Sequence, residues 1–141
     1  MKRPILLIAV GSLLPAQRTI APNQSAPSDA PALINSLQGA NLYKSYCAAC
    51  HGSDAKGNGP MSKSLRSAPS DLTRITARNG GSFPLVRVRN VISGEEAPGV
   101  GHGTREMPVW GPIFSLVGPD QDLGRVRIDN LARYLESRQT K

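Results

Sequence analysis

The stretch that decides the reading is YCAACHG, Tyr46 to Gly52. It holds both cysteines of the chain, Cys47 and Cys50, with His51 directly after the second. Such a cluster serves as a redox disulfide, as half of a zinc site, or as an attachment point for something larger. A thioredoxin-type C-x-x-C lies beside a βαβ pattern, which the flanking sequence lacks, and that reading leaves His51 without a role. A structural zinc needs four ligands, and beyond this cluster the chain offers only the distant imidazole of His102. Adjacent Cys50 and His51 do not readily face one tetrahedral metal from a helix. A simple disulfide here would close a very short loop, with little stabilisation to gain.

Covalent haem attachment through C-x-x-C-H accounts for all three residues. On one helical turn Cys47 and Cys50 project to the same side, so each sulfur can form a thioether to one vinyl of a single porphyrin. The imidazole of His51 then comes under the ring centre, where it can ligate iron. A second axial ligand must come from elsewhere. The methionines are Met1, Met61 and Met107. Met61 stands ten residues after His51, too close to cross to the other face of the ring. Met107 lies 56 residues after His51, in REMPVWGP, with Pro108 stiffening the backbone beside it. An isolated methionine is usually core filler, but a Gly/Pro-rich loop presenting one suitable thioether makes Met107 the expected ligand. His102, flanked by Gly101 and Gly103, is read as a loop histidine bonded to backbone or to a propionate.

Outward from this site, the N-terminus reads as an export signal. Lys2 and Arg3 precede an apolar run of eleven residues, Pro4 to Leu14, well short of the roughly 20 that span a membrane. Residues 1–21 are assigned to the signal, with Ala16 and Ala21 as candidate cleavage points. Residues 22–35, spaced by Pro22, Pro27 and Pro31, read as a flexible leader. Haem is attached to such motifs outside the cytoplasm, so the expected location is the periplasm. Losing Lys2, Arg3 and Arg18 takes the formal charge from +7 to +4. The remaining basicity is dispersed, without the clustered Lys/Arg and stacking aromatics of a nucleic-acid binder. It suits steering toward an acidic docking face. Aromatics make up 4% of the chain, a thin core unless a cofactor completes it.

The periodicity is helical throughout. Asn35 and Gln38 resemble a capping box, and Leu37, Leu42, Tyr43 and Tyr46 carry a helix into the cysteines. GSDAKGNGP, residues 52–60, is a glycine-rich loop, and PSDLT, 69–73, a turn opening a short helix with Asp71 or Ser70 as cap. Pro84 and Gly94 bracket a helix bearing Leu85, Val88, Val91 and Ile92. Gly94 to Pro112 reads as a long loop, and about Leu123 to Arg138 as a final amphipathic helix.

YCAACHG, GNGP, PSDLT and GHGTREMPVWG together resemble a monohaem, class I cytochrome c of the bacterial periplasmic kind, over roughly residues 36–138. The resemblance implies an all-α fold, a small cytochrome c domain at 36–141. About four helices and long loops would wrap one haem c, held through Cys47 and Cys50. It implies His51/Met107 ligation and two terminal helices crossing at Gly39, Tyr43, Leu131 and Tyr134. It also implies a proline carbonyl accepting from His51 Nδ1–H, with Pro69 preferred to Pro60. Trp110, Phe114, Tyr43 and Phe83 are expected pocket walls, with Trp110 N–H and Arg105 bonding propionates. The expected function is one-electron transfer between Fe(III) and Fe(II) by a monomeric periplasmic shuttle serving redox protein partners, with no nucleic acid. The alternative is a fixed haem subunit of a membrane respiratory or dehydrogenase complex. An uncleaved signal or a partner complex would bring the chain to the membrane. With both axial positions filled, an enzyme such as a peroxidase is not expected.

Overall fold

A computed structural model of the chain describes residues 35–96, 106–117 and 122–140. Residues 1–34, with the expected signal and all of the expected leader but Asn35, lie outside the described residues, and so do His102 and Arg105. The chain divides into two units, Met1–Pro31 and Ala32–Lys141, and every described residue belongs to the second. All regular elements among the described residues are helical, as an all-α fold requires.

The expected capping box at Asn35 and Gln38 does not form. Helix α1, Gly39–Leu42, has Gln38 at its N-cap without a side-chain cap bond. Asn35 Oδ1 is instead taken by the Arg127 guanidinium, at 2.8 Å. α1 runs into a π-helical turn, Tyr43–Cys47, in which the Ala48 N–H donates to Tyr43 O, and then into α2, Ala48–His51. Such wide turns recur at functional sites. The last four carbonyls of a helix have no partner within it, and here the glycine-rich loop supplies them. Gly52, Met61, Gly59 and Gly57 donate N–H to the carbonyls of Ala48, Ala49, Cys50 and His51, at 2.8–3.0 Å. A Cβ at Gly59 would stand 2.6 Å from Ala48 O, so the loop can fold this close only with glycine there.

Beyond this loop, Asp71 opens the 3-10 turn Leu72–Arg74, accepting from Thr73 N–H at 2.9 Å and Thr73 Oγ1–H at 2.6 Å. The turn leads into α3, Ile75–Arg78. Helix α4, Leu85–Ser93, has Pro84 at its N-cap and Gly94 in the left-handed conformation at its C-cap, φ 88°. Part of the expected long loop after Gly94 is helical: α5, Trp110–Ser115. α6, Asp122–Ser137, packs against α1, α4 and α5. Its end is pinned to the short-helix region: Gln139 donates to Leu72 O at 2.8 Å and accepts from Thr76 N–H at 2.8 Å.

The first and last helices meet as expected. Gly39 lies against Asn130 O and Tyr134 Cβ, and the Tyr43 and Tyr134 rings stand 5.4 Å apart. Leu42, Tyr43, Ile92, Phe114, Leu131 and Leu135 are buried in the core. Arg127 is fully buried with them, its guanidinium donating to Phe114 O at 3.2 Å as well as to Asn35. Among the described residues no helix is long and apolar enough to cross a membrane.

Candidate functional site

The core does not close over the histidine. A crevice of about 420 Å³ opens between α3, α4 and α6, within the range of roughly 300–1,000 Å³ typical of small-molecule and cofactor sites. A smaller lobe of about 70 Å³ adjoins it, and both are lined by Cys47, His51, Met107 and Trp110. Residues 60 positions apart, Cys47 and Met107, thus reach one space. The apolar wall of the larger lobe comes from Leu72 and Ile75, from Val88 and Ile92 on α4, and from Leu131 and Leu135 on α6. Its polar rim includes Arg78, Asn79 and Arg87. The Arg78 guanidinium donates to Asp71 O at 2.7 Å, and Arg87 pairs with Glu96 at 2.9 Å.

His51 is buried at the end of α2, and its Nδ1 lies 3.1 Å from the carbonyl oxygen of Ser70. A carbonyl only accepts, so His51 donates from Nδ1, which in the neutral ring leaves the lone pair on Nε2. The expected partner was the carbonyl of Pro69; the structure has the next carbonyl along. Pro69 O is turned the other way, against Gly57, where an added Cβ would collide with it. Pro69 nevertheless lines the smaller lobe with Cys50 and His51.

Cys47 and Cys50 are free of disulfide. Burial pushes the Cys47 thiol up to about 12, and Cys50 beside it adds to the effect. Burial likewise raises the Tyr43 phenol, whose hydroxyl donates to Gly52 O at 2.6 Å just beyond His51. Among the described residues no group of three or more His, Cys, Asp or Glu side chains is set to hold a metal ion.

Of the four expected pocket walls, Trp110 lines the crevice. Tyr43 and Phe114 belong to the core behind it, and Phe83 packs on that core. Trp110, Phe114 and Tyr46 form one aromatic group, with centroids 5.2–5.6 Å apart, so the tryptophan is braced from behind. The aliphatic wall on α4 and α6 was not singled out from the sequence as pocket. Its signal was present in the apolar faces of those helices, which a core explains equally well. Met61 is half-exposed and lines neither lobe.

The donor set fits a covalently held haem. Two thiols, one imidazole and one thioether sulfur border a single space whose wall is aliphatic and whose rim is cationic. Comparison with known proteins agrees. The family model described as cytochrome C oxidase, cbb3-type, subunit III matches residues 35–135. A polyvinylalcohol dehydrogenase of Sphingopyxis sp. (strain 113P3) is 36% identical over 80 residues, 56% of this chain and 12% of that protein. No solved structure matches the chain.

Proposed function

The chain belongs to the c-type cytochrome domains of the cbb3-type oxidase subunit III family, which carry covalent haem c and transfer electrons, and from that premise we propose a one-electron carrier with His51 and Met107 as axial ligands. The observation that carries this reading is the meeting of the His51 imidazole and the Met107 side chain at one apolar crevice. When bound, the haem supplies an Fe(III)/Fe(II) couple.

Each residue has a role that its chemistry supports. Cys47 and Cys50 would hold the group by thioethers. His51 would offer Nε2 to iron, with Ser70 O fixing the tautomer and ring orientation through Nδ1–H, as partners behind metal-ligating histidines do. Met107 would offer a thioether sulfur, a ligand that favours ferrous iron and raises the potential. Around a bound haem the aliphatic wall would exclude water, which would keep reorganisation small. Trp110 would wall the site and offer its N–H to a propionate, and Pro69 would bound it beside His51. With His51 and Met107 both held to the haem iron, no position would remain there for a substrate, and the role would be electron transfer without catalysis.

Electron transfer in this family needs redox partners or a larger complex. The modest positive charge supports a monomeric shuttle meeting acidic docking faces in the periplasm, exported by the signal at residues 1–21 and followed by the leader at 22–35. A second reading has a specific basis: the family description names an oxidase subunit, and the dehydrogenase relative contains a similar segment within a much longer chain. In that reading the chain is a fixed haem subunit of such a complex, and co-purification with other chains distinguishes it.

The test is the visible and near-infrared spectrum of the ferric holoprotein beside Met107→Ala and His102→Ala. The sulfur-to-iron charge-transfer band is expected in the native protein, retained in His102→Ala and lost in Met107→Ala. A band indifferent to Met107→Ala would remove the assignment.

A further inference from the structure

Glu106 directly precedes Met107, and its carboxylate reaches a segment some 40 residues earlier in the chain. Oε1 accepts the Arg66 N–H at 2.9 Å and Oε2 the Ser67 N–H at 3.3 Å. Two successive backbone N–H groups on one carboxylate make a clasp of the kind that backbone nests offer to anions. Hydrogen bonds to an ionised acceptor are roughly twice as strong as neutral ones. Three residues beyond Ser67, on the same segment, the Ser70 carbonyl accepts from His51 Nδ1–H at 3.1 Å. Ser67, with Ala68 and Pro69 between it and Ser70, lines the smaller lobe together with Glu106 and Met107. One short segment, residues 66–70, therefore touches the histidine side of the site at one end and the methionine side at the other.

We propose that Glu106 is the positioning residue for Met107: its clasp on Arg66 and Ser67 ties the methionine-bearing segment to the one that orients His51, and so holds the thioether at the site. This rests on the reading of Met107 as an axial ligand. Without the clasp the haem stays attached through its cysteines and His51 stays oriented by Ser70, while Met107 leaves iron more often. The segment acts as a shared strut, and Glu106 is its methionine-side joint.

Imidazole titration of the ferric holoprotein tests this, since imidazole enters only when the sulfur is off and its apparent affinity scales with the open fraction. Glu106→Ala removes both acceptors, and imidazole affinity is expected to rise roughly tenfold or more, the factor that follows from losing a hydrogen bond to a charged group. Glu106→Gln keeps the shape and one acceptor oxygen, and should fall between native and alanine forms. Haem content should stay unchanged, and exchange of the Ser67 amide hydrogen should accelerate in the order native, glutamine, alanine. If alanine prevents folding, the glutamine form decides alone. Native imidazole affinity in the Glu106 variants, with Met107→Ala raising it, overturns the positioning role while leaving Met107 as ligand. Native affinity in Met107→Ala itself overturns both.

Discussion

Asp129, on the outer side of α6, holds two arginines at once. Oδ1 pairs with the Arg89 guanidinium of α4, and Oδ2 accepts from Arg133 Nε at 2.8 Å, one turn along its own helix. The hydrogen bond from Arg133 leads, with the charge of Arg89 behind it, in holding the Asp129 carboxyl below its ordinary value of 3.8. A depressed acid contributes stability above its unfolded value and loses it as pH falls through the folded one. The network is partly exposed, so solvent screening limits it to about 1 kcal/mol. Asp129→Asn is expected to lower the unfolding free energy at neutral pH by no more than that amount, read from the denaturation midpoint, and to lose less stability than the native protein on going to about pH 3. An unchanged pH profile would mean that the pairs contribute nothing. Residue-scale chemistry was unevenly legible. The spacing of Cys47, Cys50 and His51 is local and shows directly in sequence. Whether Ser70 or Pro69 faces His51 depends on the path of a loop, which local spacing does not specify.

Between elements, the crossing of α1 and α6 is set by Gly39. A Cβ there would meet Asn130 O and would stand 2.7 Å from Tyr134 Cβ. Backbone oxygen cannot move aside as a flexible side chain can. Gly39→Ala is therefore expected to destabilise by about 1–3 kcal/mol, read as a drop in thermal midpoint with haem content unchanged. A native midpoint would show that the helices separate without cost. Element-level legibility follows a similar rule. Pro84 and Gly94 bounded α4 correctly because each acts on its own backbone. α5 went unseen because Gly111 and Pro112 look like a loop. At the third position of a helix, though, the N–H that proline lacks would have had no partner within the helix. The capping box failed for a long-range reason: Asn35 is engaged by Arg127, 92 residues on. No local pattern announces a buried arginine.

At the scale of the whole molecule, the features follow from a domain whose core is completed by its cofactor. The aliphatic side chains that line the crevice, Val88, Ile92, Leu131 and Leu135, are also core residues. The site is thus a continuation of the hydrophobic interior. Long loops are recruited to it: 52–61 caps the helix that ends in His51, and 66–70 joins both sides of the crevice. Family membership establishes the haem and electron transfer; the proposed ligation by His51 and Met107 would close the iron. Carbon monoxide added to the reduced native protein tests that claim most directly. With His51 and Met107 both bound, the spectrum is expected to stay that of the ligand-free reduced protein over the time of mixing. Rapid conversion to a carbon monoxide adduct would mean an open position at the iron, and would contradict the account.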